Sequence, residues 1–212
     1  MRQAVILLIM TFLFASGCGP SDPPSSQEKP TKKDLPVKKT QKPLRIVFYD
    51  FDQTLPVIHI FHETNGADDV SEKSDQFFVD AFGGEKRIAR LKRHFEQLAQ
   101  AEVKCSIVSY GYSAVIKESL ERVGLIDFFE IDAIYGRDSE VMRRFRGAKH
   151  KVISEEMRSR NIPYEETLFI DDDQGNVEKC ANAGICRTLH VHEEGGMTEE
   201  NMEFLETGMI DK

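Results

Sequence analysis

From residue 44 onward the chain alternates between short apolar runs and segments whose apolar residues recur at helical spacing. Residues 44–49 (LRIVFY) are a short apolar run ending at Asp50, as a buried strand would be. In 84–102, Ile88, Leu91, Phe95 and Leu98 return every three or four positions with charged residues between them, which predicts an amphipathic helix. The pattern then repeats. Strands are predicted at 103–109, 131–135, 167–170 and 186–191. Helices are predicted at 112–123, closed by Gly124, at 149–160, and at 175–183, closed by Gly184. Strands that alternate with helices form a parallel sheet, here five-stranded, covered on both faces in a three-layer Rossmann-like α/β fold. A chain of 212 residues has room for one such domain and not for two.

Open parallel sheets bind ligands beyond the C-terminal ends of their strands. The polar residues at those ends are Asp50 and Asp52 after the first strand, Ser109 after the second, and Asp171 and Asp172 after the fourth. A lone Asp after a strand is commonly a turn residue or helix cap. Asp50, Asp52 and Thr54 together are harder to explain that way. Two carboxylates two positions apart at a strand end can flank one metal ion, and hard oxygen ligands favour Mg²⁺.

Four segments in order resemble the motifs of the haloacid dehalogenase (HAD) superfamily. Val47 to Leu55 (VFYDFDQTL) resembles the first, and Ile107-Val108-Ser109-Tyr110-Gly111 the second. Lys149 with Val152 and Ile153 resembles the third, and Phe169 to Asn176 (FIDDDQGN) the fourth. The resemblance implies strand order 5-4-1-2-3 and a Mg²⁺-dependent phosphatase. It makes Asp50 the nucleophile and Asp52 the acid and base. Mg²⁺ would be held by Asp50, Asp52 and Asp172. Ser109, with the N–H groups of Tyr110 and Gly111, would bind the phosphoryl group together with Lys149. Lys151 competes with Lys149 for that role. Thr54, Asp171 and Asn176 would stand behind the reacting groups. Asp52 favours phosphoryl chemistry over dehalogenation, and Phe51 stands where the ion-pumping relatives carry Lys. The expected substrate is a phosphorylated small molecule or a phosphoprotein. Two alternatives stay open: an enzyme acting on phosphoserine or phosphothreonine segments, and a non-catalytic phosphate binder.

No large cap domain fits between the motifs. About residues 56–82 are left over after the first, and their acids Asp68, Asp69, Glu72 and Asp75 suggest a small acidic lid. His59 and His62, with Glu63, are expected to be structural or surface residues, and His190 and His192 to be edge residues.

Net charge is −8, although residues 1–43 carry seven cations against three acids. The remainder is therefore strongly acidic, which argues against general nucleic-acid binding. Residues 1–18 read as a signal peptide: Arg2, then an apolar stretch too short to span a bilayer, then Ala15-Ser16-Gly17-Cys18. Three outcomes fit that end: lipidation of Cys18, as in a membrane-tethered lipoprotein; cleavage without lipidation, giving a secreted or periplasmic protein; or an uncleaved anchor. Residues 19–43, rich in Pro, Lys and Ser, are expected to be a disordered tether to the catalytic domain at 44–212. Cys105 is expected to be a buried small hydrophobe, and Cys180 and Cys186 could pair in an oxidising compartment.

Overall fold

A computed structural model describes residues 42–192 and 195–209. The expected signal segment, Cys18 and nearly all of the tether lie outside the described residues. In chain order the elements are β1 (Ile46–Tyr49), α1 (Ile60–Glu63), α2 (Asp75–Ala81), α3 (Glu85–Gln100), β2 (Lys104–Val108), α4 (Ser113–Arg122), β3 (Ile134–Tyr135), α5 (Glu140–Arg144), α6 (Lys149–Arg160), β4 (Thr167–Asp171), α7 (Gln174–Asn182), β5 (Arg187–His190) and α8 (Glu199–Gly208). The strands form one sheet in the order β3-β2-β1-β4-β5, and every pairing is parallel. Among the described residues no helix is long and apolar enough to cross a membrane.

Successive strand side chains point to opposite faces, and that alternation divides the core in two. Val47, Tyr49, Ile107, Leu168 and Ile170 face one way, against α2, α3, α4 and α8. Ile46, Phe48, Val108 and Phe169 face the other, against α5, α6 and α7. Each fully buried side chain of this size contributes about 1.5–3 kcal/mol. The central strands are thus fixed from both sides, and their C-terminal ends are held still. Gly124 and Gly184 take left-handed backbone where α4 and α7 end, as the sequence predicts.

Two differences from the sequence reading stand out. Only Ile134–Tyr135 of the expected third strand is a strand; Ile131–Ala133 is a 3₁₀ turn with Ile131 exposed. In the segment 56–82, Asp75 is tied away from the expected lid. Asp75 and the Ser71 carbonyl bind Arg122 at the C-terminal end of α4, and Val70 and Phe78 are buried in the core. α4 starts just after β2, so Arg122 lies a helix length, about 15 Å, from the end of the sheet that holds the strand-end acids.

α8 was not foreseen. Thr198 and Asn201 cap it reciprocally, while Met202 and Leu205 enter the core. Its buried Glu206 accepts two hydrogen bonds from the Arg90 guanidinium (2.8 and 3.1 Å) and one from His94 Nδ1 (2.7 Å). The Tyr49 hydroxyl lies 3.4 Å from His94 Nε2, on the strand that ends at Asp50. Burial lowers the His94 pKa, so the neutral ring donates to Glu206. Burial also works against the Glu206 carboxylate, but Arg90 and His94 outweigh it and hold its pKa below the usual 4.5. A depressed carboxyl pKa stabilises the fold above its unfolded value and ceases to do so as pH falls through the folded value. Glu206→Gln is therefore expected to cost about 1.5–3 kcal/mol at pH 7. In thermal melts the deficit should close below the usual 4.5. A gap independent of pH would exclude the ionised network as its source.

Candidate active site

The β1 ladder ends as the Asp50 N–H donates to the Ile170 carbonyl of β4 (2.8 Å), which sets Asp50 beside Asp171 and Asp172. Carboxylate oxygens of Asp50, Asp171 and Asp172 all lie within 4.8 Å of one another. Lys149, at the start of α6 and 2% exposed, places Nζ 2.7 Å from Asp50 Oδ1 and 2.8 Å from Asp171 Oδ2. Burial opposes the Lys149 charge, but the two carboxylates outweigh it and keep its pKa above the ordinary lysine value. Lys151 is exposed and lines another groove, without Lys149, so Lys149 is the lysine at the acids.

Asp171 is fully buried and spends its oxygens locally. Oδ1 accepts from the Asp173 N–H (2.8 Å), Oδ2 accepts from Lys149, and Asn176 Nδ2 lies 3.3 and 3.2 Å from the two oxygens. It fixes the position of Lys149, as a residue behind the reacting groups would. Asp172 is only partly buried. Its pKa is raised by burial and then by the charges of Asp50 and Asp171, and it lies close enough to Asp50 for a hydrogen bond. A cluster so short of cations suits a bound one. Ligands on opposite sides of a Mg²⁺ ion lie about 4.2 Å apart, given bonds near 2.1 Å. The limit of 4.8 Å on the observed spread is within about 0.6 Å of that span.

Asp52 departs from expectation, because its side chain does not join this cluster. The chain turns at Gln53, which has positive φ, while Phe51 is buried against Phe82. The Asp52 carboxylate therefore points towards α1, and its Oδ2 lies 3.3 Å from His59 Nδ1. Burial and the Asp50 charge raise its pKa to about 7, against the N–H groups of Phe61 and Ile60. A carboxyl that is half-protonated near neutral pH is suited to donate a proton and then accept one. Thr54 is fully buried beneath the turn.

Ser109 is buried at the end of β2, and its Oγ accepts from the Gly111 N–H (3.2 Å). That N–H orients the serine rather than lying free for a phosphoryl oxygen. The loop is braced from behind by Gly136, whose Cα lies so close that an added Cβ would meet the Ser113 nitrogen at 2.4 Å and the Gly111 carbonyl at 2.8 Å. The Tyr110 ring covers Lys149 Nζ at 4.6 Å, and its hydroxyl reaches Asn176 Oδ1 at 3.4 Å.

Three further contributors were not expected at the site. His59 stacks on His62 with ring centroids 3.7 Å apart, next to Asp52. His190 Nε2 donates to the Asp172 carbonyl (2.8 Å), so this edge residue holds a site residue. Arg137 sits 5.1 Å from both the Phe61 and Tyr112 rings, making an aromatic and cationic rim. The spacings of His59 with His62 and of His190 with His192 were visible beforehand; Arg137 carried no such signal. Cys105, Cys180 and Cys186 are buried free thiols, and Cys180 and Cys186 are in hydrogen-bond contact without being bonded.

The family model described as haloacid dehalogenase-like hydrolase matches residues 56–190. The chain belongs to the HAD superfamily. The match begins just after Asp50 and Asp52, so the assignment of that pair rests on the geometry above and on the first motif. The HAD domain of effector protein Lem4 from Legionella pneumophila shares the fold. Its TM-score is 0.50 at 17% identity, over 78% of this chain and 94% of that one. A HAD phosphatase from Thermococcus onnurineus gives a TM-score of 0.47 at 16% identity, over 79% of this chain and 100% of that one. The 3-deoxy-D-manno-octulosonate 8-phosphate phosphatase of Moraxella catarrhalis gives 0.46 at 14% identity, over 81% and 90%. No curated protein matches the chain. As in the sequence reading, this HAD-like hydrolase carries no large cap: α1 and α2 are the only helices between β1 and α3.

Proposed function

We propose that the protein is a Mg²⁺-dependent phosphomonoester hydrolase working through an aspartyl-phosphate on Asp50. The observation that carries this reading is the convergence of Asp50 and Asp172 beside Lys149, with Asp52 held separately and its pKa near 7. The Asp50 and Asp172 carboxylates and the Asp52 main-chain carbonyl would hold the metal ion. Bound there, it would offset the repulsion between Asp50 and a phosphate dianion. An Asp50 oxygen attacks phosphorus and the bond to the leaving oxygen breaks, while Asp52 gives its proton to that oxygen. Asp52, now a carboxylate, takes a proton from water as the water attacks phosphorus. Inorganic phosphate leaves and Asp50 is regenerated. Ser109 and Lys149 stabilise charge on the transferring group.

Hydrolysis of p-nitrophenyl phosphate with Mg²⁺, abolished by EDTA and restored by added Mg²⁺, tests the reading. Binding of phosphate without turnover of any phosphoester would replace it with the non-catalytic alternative. The acid role makes a sharper prediction. Nitrophenolate leaves without a proton, whereas an alkoxide does not. Asp52→Asn should therefore cost about 10²–10⁴-fold in kcat on an alkyl phosphate and distinctly less in phosphoenzyme formation from p-nitrophenyl phosphate. Equal losses in that first step would assign Asp52 another role. Export with lipidation at Cys18 is proposed from residues 1–18 alone. Globomycin-sensitive processing would support it, and unchanged membrane association in Cys18→Ser would exclude it.

A further inference from the structure

Beside the acid cluster lies a cavity of about 280 Å³ that the chemistry above does not use. Lys149, Tyr110 and Asn176 belong both to its wall and to the surroundings of the acids, so it adjoins the reacting centre. Its remaining charged or titratable lining is Arg146, His150 and Lys179. Arg146 and Lys179 are exposed, and among the described residues neither has a carboxylate within 4.0 Å. Arg45, Arg90, Arg122, Arg144 and Arg160, by contrast, each bind at least one carboxylate. Burial and then the charges of Lys151 and Lys179 push the His150 pKa down. The chain as a whole carries −8, so a cationic hollow next to four aspartates is a local reversal of charge.

The hollow is also built. The chain reaches Arg146 and Gly147 with positive φ at both, a tight turn that ends α5 and starts α6. Tyr110 packs on Gly147, where an added Cβ would meet the ring at 3.4 Å. Lys179 comes from α7, so the cations converge from two elements.

We propose that this cavity is a subsite for a second anionic group, a phosphate or carboxylate, on the molecule whose phosphoryl group meets Asp50. The proposal rests on the phosphatase reading for the identity of the first group. It makes the substrate class trianionic or richer: a small bisphosphate, or a phosphorylated residue with acidic neighbours. A positive hollow raises the local concentration of such a group and orients it, and complementary charge acts mainly on specificity.

The test compares wild type with Arg146→Gln/Lys179→Gln on three probes: p-nitrophenyl phosphate, fructose 1,6-bisphosphate, and a phosphoserine peptide flanked by glutamates. kcat/KM on at least one polyanionic probe should fall about tenfold or more in the variant, with p-nitrophenyl phosphate unchanged. The polyanion that loses more identifies the source of the second group. Equal losses on all three probes, or no loss on any, overturn the subsite and leave the phosphatase reading standing. Calorimetry in the presence of Mg²⁺ reads the subsite without turnover, with Asp50→Asn in both proteins. Either polyanion should bind more tightly than inorganic phosphate, and the double substitution should remove that advantage. A protein that shows this binding difference but hydrolyses nothing keeps the subsite and loses the phosphatase reading. Absence of the difference overturns the subsite.

Discussion

Asp50→Asn is expected to lower kcat by about 10⁴-fold or more, the scale on which removal of an enzymatic nucleophile acts. That corresponds to at least about 5 kcal/mol of barrier. The amide keeps the size of the carboxylate but is a far poorer nucleophile, so no acyl phosphate can accumulate. The fold should not suffer. Lys149 retains Asp171 as its partner at 2.8 Å, and the charge that raises the pKa of Asp171 and Asp172 is removed. Urea unfolding in EDTA should show the variant at least as stable as wild type. Steady-state assays, with acid-quench trapping of phosphoenzyme, read the chemistry. Turnover within tenfold of wild type would take the nucleophile role away from Asp50.

Much of this site could be read in the sequence because strand ends are local. The run from Ile46 to Tyr49 is apolar throughout and Asp50 is not, so the place where the chain leaves the core is written in adjacent residues. The same holds for Ser109 after β2 and for Asp171 and Asp172 at the end of β4. Side-chain direction beyond those ends was not legible. Asp52 turns towards His59 because Gln53 adopts positive φ and Phe51 is drawn into the core, two tertiary facts. The reading of 56–82 as a lid missed the place of Asp75 for a related reason. Its acids are exposed, as they looked, but the partner that fixes Asp75 is Arg122, 47 positions away. Periodicity also overran at Ile131, where an apolar residue stays exposed and the third strand shrinks to two residues. Glu206 illustrates the general limit. A glutamate in a surface-like helix is buried because Arg90 and His94 reach it from α3, more than a hundred positions earlier.

Lys149→Met is expected to produce the largest loss of stability of any substitution at the site, and the size of the loss should depend on metal. The ammonium is 2% exposed and touches two carboxylates at 2.7 and 2.8 Å. Replacing it with a side chain of similar length leaves Asp50, Asp171 and Asp172 together with no protein cation among them. Breaking a buried ion pair in this way costs about 3–5 kcal/mol, because the surviving charge is buried and uncompensated. A divalent ion held by Asp50 and Asp172 supplies the missing charge and binds only the folded protein, so it stabilises by mass action. Urea unfolding of Lys149→Met should therefore show a deficit of several kcal/mol in EDTA that narrows as Mg²⁺ is raised. Lys151→Met, altering an exposed lysine two positions on, should differ from wild type by less than about 0.5 kcal/mol under either condition. Catalysis should separate the same pair: a loss of about 10²–10³-fold in kcat for Lys149→Met at saturating Mg²⁺, and none for Lys151→Met. A Mg²⁺-independent deficit would mean that Asp50 and Asp172 do not share an ion. The Lys149 result therefore tests the metal centre by a route that does not depend on knowing the substrate.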